Sequence, residues 1–447
     1  DQPANRRGLV ARGFEGAVQN ELFPFCRLLG QAFIEYHFLW HTARFLPVFI
    51  QNVMNKTLSD RVRSIKPSPT LAVTARAAAM RAAGKDIVGL GAGEPDFDTP
   101  AHIKQAAIRA IEAGFTKYTA VDGTPGLKKA IVAKFKRENG FDYEPKQILV
   151  SCGGKQSFYN LAQALLNPGD EVIIPAPYWV SYPDMVLLAG AIPVIVEGPQ
   201  SQSFKITPAQ LEAAITEKTR LFVINSPSNP SGMAYSQAEL KALGEVLRKH
   251  ADIVIATDDM YEHIVWSAGG FVNILNANPD LYERTMVLNG VSKAYSMTGW
   301  RIGYAAGPAW LVEAMTNIQS QSTSNPTSIS QVAAEEALSG DQSFIGVMLK
   351  AFKERHDFVV TQLRTIPDVE CLETDGTFYV LPDLNRVIAR LPGIEDDLGL
   401  AEFLIEKGGV AVVPGSAFGA PGHVRLSIAT SMTNLEAAIS RMRAALG

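Results

Sequence analysis

Short runs of β-branched and aliphatic residues recur between about residues 100 and 340, separated by longer stretches with helical spacing. Gln147–Ser151, Glu171–Pro175, Ile192–Val196, Arg220–Asn225, Ile253–Asp258, Thr285–Asn289 and Ile302–Ala306 read as strands. Several are almost wholly apolar, as strands covered on both faces of a parallel or mixed sheet should be. Gly154–Leu166, Ser236–His250 and Leu311–Gln321 read as helices, giving the alternation of a three-layer α/β fold. A long helix is expected from Gln342 through Leu363, then an apolar run Thr377–Leu381, a strand Val424–Ile428 and a closing helix from Thr433. Together with Leu58–Leu90 they predict a smaller α+β domain. The expected division is an arm and part of the small domain over 54–99, a large domain over 100–341, and the rest of the small domain over 342–447.

The residues that close the strands carry more information than the strands. One run leads into Ser151, Gly153, Gly154 and Lys155, and another into Tyr178 and Trp179. A third ends at Asn225 with Asn229 just beyond, a fourth at Asp258, and a fifth leads to Ser292 and Lys293. Ligands of open α/β sheets sit outside the carboxyl ends of the strands, so these groups predict one pocket.

Composition narrows the class. A net charge of -4 over 447 residues gives no electrostatic reason to expect nucleic acid. The aromatic-rich stretch from Leu22 to Val53 is broken by Arg27, Glu35, Arg44 and Pro47, so it lacks the roughly 18 uninterrupted apolar residues of a membrane span. Cys26, Cys152 and Cys371 are far apart, without metal-ligand spacing; as free thiols they suit a reducing cytoplasm. His37 and His41 lie four apart with no glutamate of an HExxH motif and no third ligand, so no metal is expected.

The string Asn289-Gly-Val-Ser-Lys293-Ala-Tyr-Ser-Met-Thr-Gly-Trp-Arg301-Ile-Gly-Tyr resembles the cofactor-attachment signature of the fold type I, class I aminotransferases. The resemblance spans about Met54 to Gly447 and implies a three-layer α/β fold whose large, mostly parallel-sheet domain binds pyridoxal 5'-phosphate (PLP). It implies that Lys293 holds PLP as a Schiff base and later moves the substrate's α-proton, and that Ser292 and Arg301 bind the phosphate with Gly153 and Gly154. In Thr-Asp258-Asp-Met-Tyr261, Asp258 would pair with the ring nitrogen, and Tyr261 and Asn229 would meet the ring's phenolic oxygen. Taken singly, Asp258 reads equally as a helix N-cap and Asn229, before Pro230, as a turn residue. Trp179 would stack on the ring, and Tyr118 would reach the cofactor of a second subunit, making a homodimer with composite sites.

Arg425, in Val-Arg425-Leu-Ser-Ile-Ala-Thr, resembles the family's arginine for the substrate α-carboxylate, with a backbone N–H near Gly93 on the same group. Within the family the chain is most similar to the bacterial aspartate aminotransferases of subgroup Iβ, through Lys66-Pro-Ser-Pro-Thr70 and Gly153-Gly-Lys155-Gln. There Lys155 would meet a distal carboxylate or line the cofactor site, and Thr70 and Lys155, together with Lys66, accompany the use of prephenate. The expected partners are amino acids and 2-oxo acids: aspartate or glutamate with oxaloacetate, 2-oxoglutarate or prephenate. An aromatic or alanine aminotransferase or a β-lyase of the same fold would share every cofactor residue. A PLP-binding regulator without turnover is the alternative of another class. Residues 1–53 fall outside the resemblance; the chain starts at Asp1 and Met54 opens ordinary globular patterning, so they are expected to be upstream or accessory sequence.

Overall fold

Seven strands, all close to the predicted runs, form one sheet: β2 (Ile148–Ser151), β3 (Glu171–Ala176), β4 (Ile192–Glu197), β5 (Thr219–Asn225), β6 (Val254–Asp258), β7 (Thr285–Gly290) and β8 (Gly303–Ala306). The computed structural model describes residues 58–67 and 69–447. Residues 1–53, with Cys26, His37 and His41, lie outside the described residues. The sheet order is β2-β8-β7-β6-β5-β3-β4. All neighbours are parallel except β8, which is antiparallel to both β7 and β2. β7 is buried along its whole length and β5 and β6 nearly so, which is why their sequences are apolar without alternation. β4 lies at the edge, where Ile192 and Ile195 stay exposed.

Two apolar clusters cover the faces of this sheet. Phe222, Ile255 and Val287 point into one, with helices Pro125–Lys134 and Ser328–Ser339; Leu221, Val254 and Met286 point into the other, with helices Gly154–Leu165 and Ala309–Ser320. Adjacent strand positions thus serve opposite layers, as the strand period of two requires. A third cluster joins helices Ser343–Leu363 and Met432–Leu446 to the antiparallel sheet β11-β12-β9, formed by Val413–Pro414, Val424–Ser427 and Tyr379–Val380. A two-stranded parallel ladder pairs β1 (Val88–Gly89) with β10 (Val410–Ala411). Ser64–Gly447 forms one compact unit. Among the described residues no helix is long and apolar enough to cross a membrane.

Register brings the strand ends together. Asn225 lies opposite Asp258, and Gly303 of β8 lies opposite both Ser151 and Gly290. Glycine at 303 is a packing requirement: a Cβ there would run into the backbone of Gly153 and Gly154 at the start of the next helix. Gly303→Ala is therefore expected to cost about 1–3 kcal/mol of stability, the usual range for overpacking, read as a lower urea midpoint. An unchanged midpoint would mean that the Gly153–Gly154 turn gives way freely.

Candidate active site

The carboxyl ends of β5, β6 and β7 open into a cavity of about 420 Å³, within the usual size range for small-ligand sites. It is lined by Gly93, Gly154, Lys155, Trp179, Asn229, Asp258, Tyr261, Ser292, Lys293, Arg301 and Arg425, together with Thr70. Residues expected from five strand ends and from the distant strand β12 therefore share one space. Gly153 stands just behind it as the N-cap of helix Gly154–Leu165. Lys66 and Tyr118 do not line the cavity, and Tyr118 is 92% exposed.

Asp258 is one of these lining residues. Its carboxylate accepts hydrogen bonds from Tyr182 Oη and, at 3.2 Å, from the Met260 backbone N–H. No helix begins here; the segment turns, and Asp258 caps that turn rather than a helix. Burial raises its pKa above the ordinary carboxylate value despite these donors and nearby Lys293. Asn225 donates to the Asp258 carbonyl at 2.8 Å and accepts from the Asn229 N–H at 2.8 Å. Tyr261 is buried and shares a 3.1 Å hydrogen bond with Tyr379.

The cations are disposed around this acid. Lys293 Nζ donates to the Gly93 carbonyl. Burial first, then the charge of Arg425, pull its pKa down to about 8. Arg301 follows a short 3-10 turn, Thr298–Trp300, and has φ +57°, a left-handed conformation that costs a non-glycine residue energy and clusters at functional sites. Its guanidinium donates to the Thr298 and Cys152 carbonyls at 2.9 and 3.2 Å. It lies so close to Gly153 (φ +90°) that any Cβ there would collide with it. A helix N-terminus, a side-chain-free turn and a guanidinium thus form a cradle suited to phosphate.

Arg425, 2% exposed, lies between the rings of Tyr379 and Phe418, with its guanidinium 4.4 and 4.8 Å from their centroids. It donates to Asn229 Oδ1 at 2.9 Å and to the Gly91 carbonyl at 2.8 Å, while its buried Nε finds no partner among the described residues. The Gly91–Gly93 loop thus turns carbonyls toward Arg425 and Lys293. Lys155 Nζ stands 5.2 Å over the Trp179 ring, its pKa lowered by burial and then by Arg301. Polar contacts of Arg425, Arg301 and Lys293 go to carbonyls and an amide, and none of the four cations pairs with a carboxylate among the described residues.

The profile of the family described as Aminotransferase class I and II matches residues 85–442. The chain belongs to this family. Its relatives include an aspartate/prephenate aminotransferase from Nitrosomonas europaea, 62% identical over 87% of this chain and 99% of the relative, and an aspartate aminotransferase from Geobacillus stearothermophilus, 51% identical over 86% and 98%. Among solved structures, the aspartate aminotransferase of Rhizobium meliloti matches with a TM-score of 0.85 at 49% identity, covering 87% of this chain and 98% of that one. The family is enzymatic, which removes the non-catalytic regulator expected as the alternative of another class.

Several site groups of this aminotransferase are not marked as such in its sequence. Tyr182 stands in the Pro-Tyr-Trp179-Val-Ser-Tyr string and Glu94 in the glycine loop; Tyr379 carries no signal beyond its apolar strand. Glu94 accepts from Thr298 Oγ1 at 2.9 Å and joins that loop to the Arg301 turn.

In ligand-free protein, acylation of Lys293 should be half-maximal near pH 8, measured by mass spectrometry of the modified peptide. Arg425→Met removes one of the causes and should move that midpoint upward; a fall, or no change, would contradict the assignment. The folded chain gives up this proton before the unfolded chain does, so Lys293 makes stability rise with pH from about 8 towards the ordinary lysine value of 10.5.

Proposed function

We propose that this aminotransferase carries PLP on Lys293 and exchanges amino groups between aspartate or glutamate and 2-oxo acids, with prephenate among its acceptors. The observation that carries the reading is the set of cations that, among the described residues, have no carboxylate partner and share one cavity with Asp258. Like charges gathered on one cavity raise the local concentration of anions, and the buried Arg425 in particular requires a counter-charge. A phosphate on Arg301, an α-carboxylate on Arg425 and a distal carboxylate on Lys155 would match three of the four, leaving Lys293 to hold the cofactor. The fit to PLP rests on the Gly153–Arg301 cradle, on Lys293 facing the same cavity, and on Asp258, whose carboxylate would gain a protonated ring nitrogen as partner.

When bound, PLP supplies an electron sink that makes the substrate α-proton removable. The chain does the rest. Arg425, fixed between two rings, orients the α-carboxylate, so the α-carbon faces one direction. Lys293 Nζ takes up and returns the α-proton; its lowered pKa keeps a useful fraction neutral near physiological pH. Asp258 would accept a hydrogen bond from a protonated ring nitrogen, Tyr182 holds Asp258, and Trp179 would supply a flat wall.

Acidic substrates are favoured by Lys155, and the Thermus thermophilus aspartate aminotransferase, 44% identical with a TM-score of 0.82, was solved with maleate, a dicarboxylate. The prephenate reading is supported by Thr70 and Lys155 lining the cavity and by relatives named aspartate/prephenate aminotransferase. Lys66 lies outside the cavity lining and adds no support from its position. Tyr118, exposed in the single chain, supports a homodimer in which it completes a second subunit's site. The free thiols Cys152 and Cys371 suit a cytoplasmic enzyme.

Borohydride reduction of the PLP-loaded protein should label Lys293, and label on another lysine would overturn the assignment. Lys155→Ala should lower kcat/KM for aspartate and oxaloacetate by roughly 10- to 100-fold, the weight of one charge-assisted hydrogen bond. Neutral amino acids should change little. Equal losses across both classes would reject the role of Lys155. Steady-state kinetics with prephenate as acceptor tests the remaining part.

A further inference from the structure

Behind the catalytic strand ends lies a second polar cluster that the reaction does not use. Lys134, the last residue of helix Pro125–Lys134, is 0% exposed. Its ammonium pairs with Glu262, lies 3.5 Å from Glu138 and donates to Asn139 Oδ1 at 2.9 Å. Glu138 also meets His263 at 2.9 Å. Glu138, Glu262 and His263 are close enough together to suggest a cation site, but the lysine ammonium already occupies the role of the cation. Burial alone would raise the pKa of Glu262, yet the Lys134 charge and its neighbours bring it below the ordinary value, so Glu262 is ionised.

Beyond Lys134, Glu262 accepts two hydrogen bonds, one from Asn139 Nδ2 at 3.1 Å and one that points to the active site. Its Oε1 accepts from Asn289 Nδ2 at 2.7 Å, and Asn289 Oδ1 accepts from the Gly290 N–H at 2.7 Å. Glu262 directly follows Tyr261; Asn289 lies near the end of β7, three residues before Ser292 and four before Lys293. The β6–β7 ladder ends with Asp258 opposite Leu288 and the Asp259 N–H on the Leu288 carbonyl. Past that point the Glu262–Asn289 bond ties the two segments together.

We propose that Lys134 and Glu262 are positioning residues: through Asn289 they fix the spacing between the Asp258–Tyr261 turn and the Ser292–Lys293 segment. The inference rests on the proposed roles of Lys293 and Asp258. A buried ion pair is a poor device for stability alone, because well-packed apolar residues often replace one without loss. A pair kept on the back of a reaction centre, with one carboxylate oxygen on the strand that leads to the proposed lysine, is a good device for holding geometry.

The test uses the full-length PLP-loaded protein and three variants: Asn289→Ala, Glu262→Gln, and the double variant Lys134→Met/Glu262→Leu. The readouts are the pH midpoint of the visible absorbance band, kcat, and the melting temperature of the PLP-free protein. Asn289→Ala should move the midpoint by about 0.5 pH unit or more and lower kcat roughly 10-fold or more, as small misplacements of reacting groups do. Glu262→Gln, which keeps an oxygen for Asn289, should retain the native midpoint. The double variant should melt near the native temperature yet show the shifted midpoint and lowered kcat. A native midpoint and kcat in the double variant, or in a folded Asn289→Ala, would overturn the positioning role. Borohydride labelling of the wild-type protein separates the two levels. Label away from Lys293 removes the parent reading and this inference with it; label on Lys293 with native midpoints throughout removes this inference alone.

Discussion

Concentrated positive charge is the constraint around which the rest of the structure is arranged. Arg301, Arg425, Lys155 and Lys293 face one cavity; Arg425 is buried, Lys293 half-buried, and Arg301 and Lys155 exposed, and none has a carboxylate partner among the described residues. Like charges so placed repel one another, and the buried Arg425 also loses its hydration, a cost on the order of several kcal/mol. The fold offsets part of it locally. Carbonyls of Gly91, Gly93, Cys152 and Thr298 accept from three of the four, and the ring faces of Tyr379, Phe418 and Trp179 lie against Arg425 and Lys155. These contacts are weaker than ion pairs. The site therefore stays receptive to anions, whereas a surface of satisfied salt bridges would not.

That demand explains why the backbone is unusual where it is. Arg301 adopts a left-handed conformation and Gly153 has φ +90° because the guanidinium must approach a helix N-terminus more closely than a side chain at 153 would allow. Gly303, opposite both Ser151 and Gly290, gives the turn room to lie against the sheet. One strand reversed within an otherwise parallel sheet brings the Arg301 turn back beside the first strand end, where the Gly153–Gly154 cradle begins.

Much of this was legible along the chain because a parallel sheet converts sequence order into spatial convergence. Asp258, Lys293, Trp179 and Lys155 each come at or after the end of an apolar run, and strands running the same way deliver their terminal residues to the same edge. Arg425 was legible for a different reason, its local string, since no periodicity connects β12 with β6. The groups that stayed hidden depend on tertiary distance. Nothing near Tyr379 says that it will stack on Arg425 and bond Tyr261, and nothing near Tyr182 says that it will meet Asp258. Lys66 shows the opposite failure, a familiar residue in a familiar string whose side chain does not line the cavity.

The turn after β6 shows how one short segment serves two environments. Asp258 and Tyr261 line the cavity, while Asp259 and Glu262 are buried in the layer behind it. In the front pair Asp258 accepts from Tyr182 and the Met260 N–H and Tyr261 bonds Tyr379, and burial still holds the Asp258 carboxyl above the ordinary pKa, as it does the buried Asp259 behind it, raised to about 7. The back pair must be satisfied by the protein itself. Asp259 accepts from Thr257 and Asn273, and Glu262 accepts from Asn139 and Asn289 while pairing with Lys134. A segment that borders a cavity on one side is held in place by the protein partners on both its faces. Without them, the energy released on filling the cavity would go first into ordering the turn, and less would remain to orient the reacting groups.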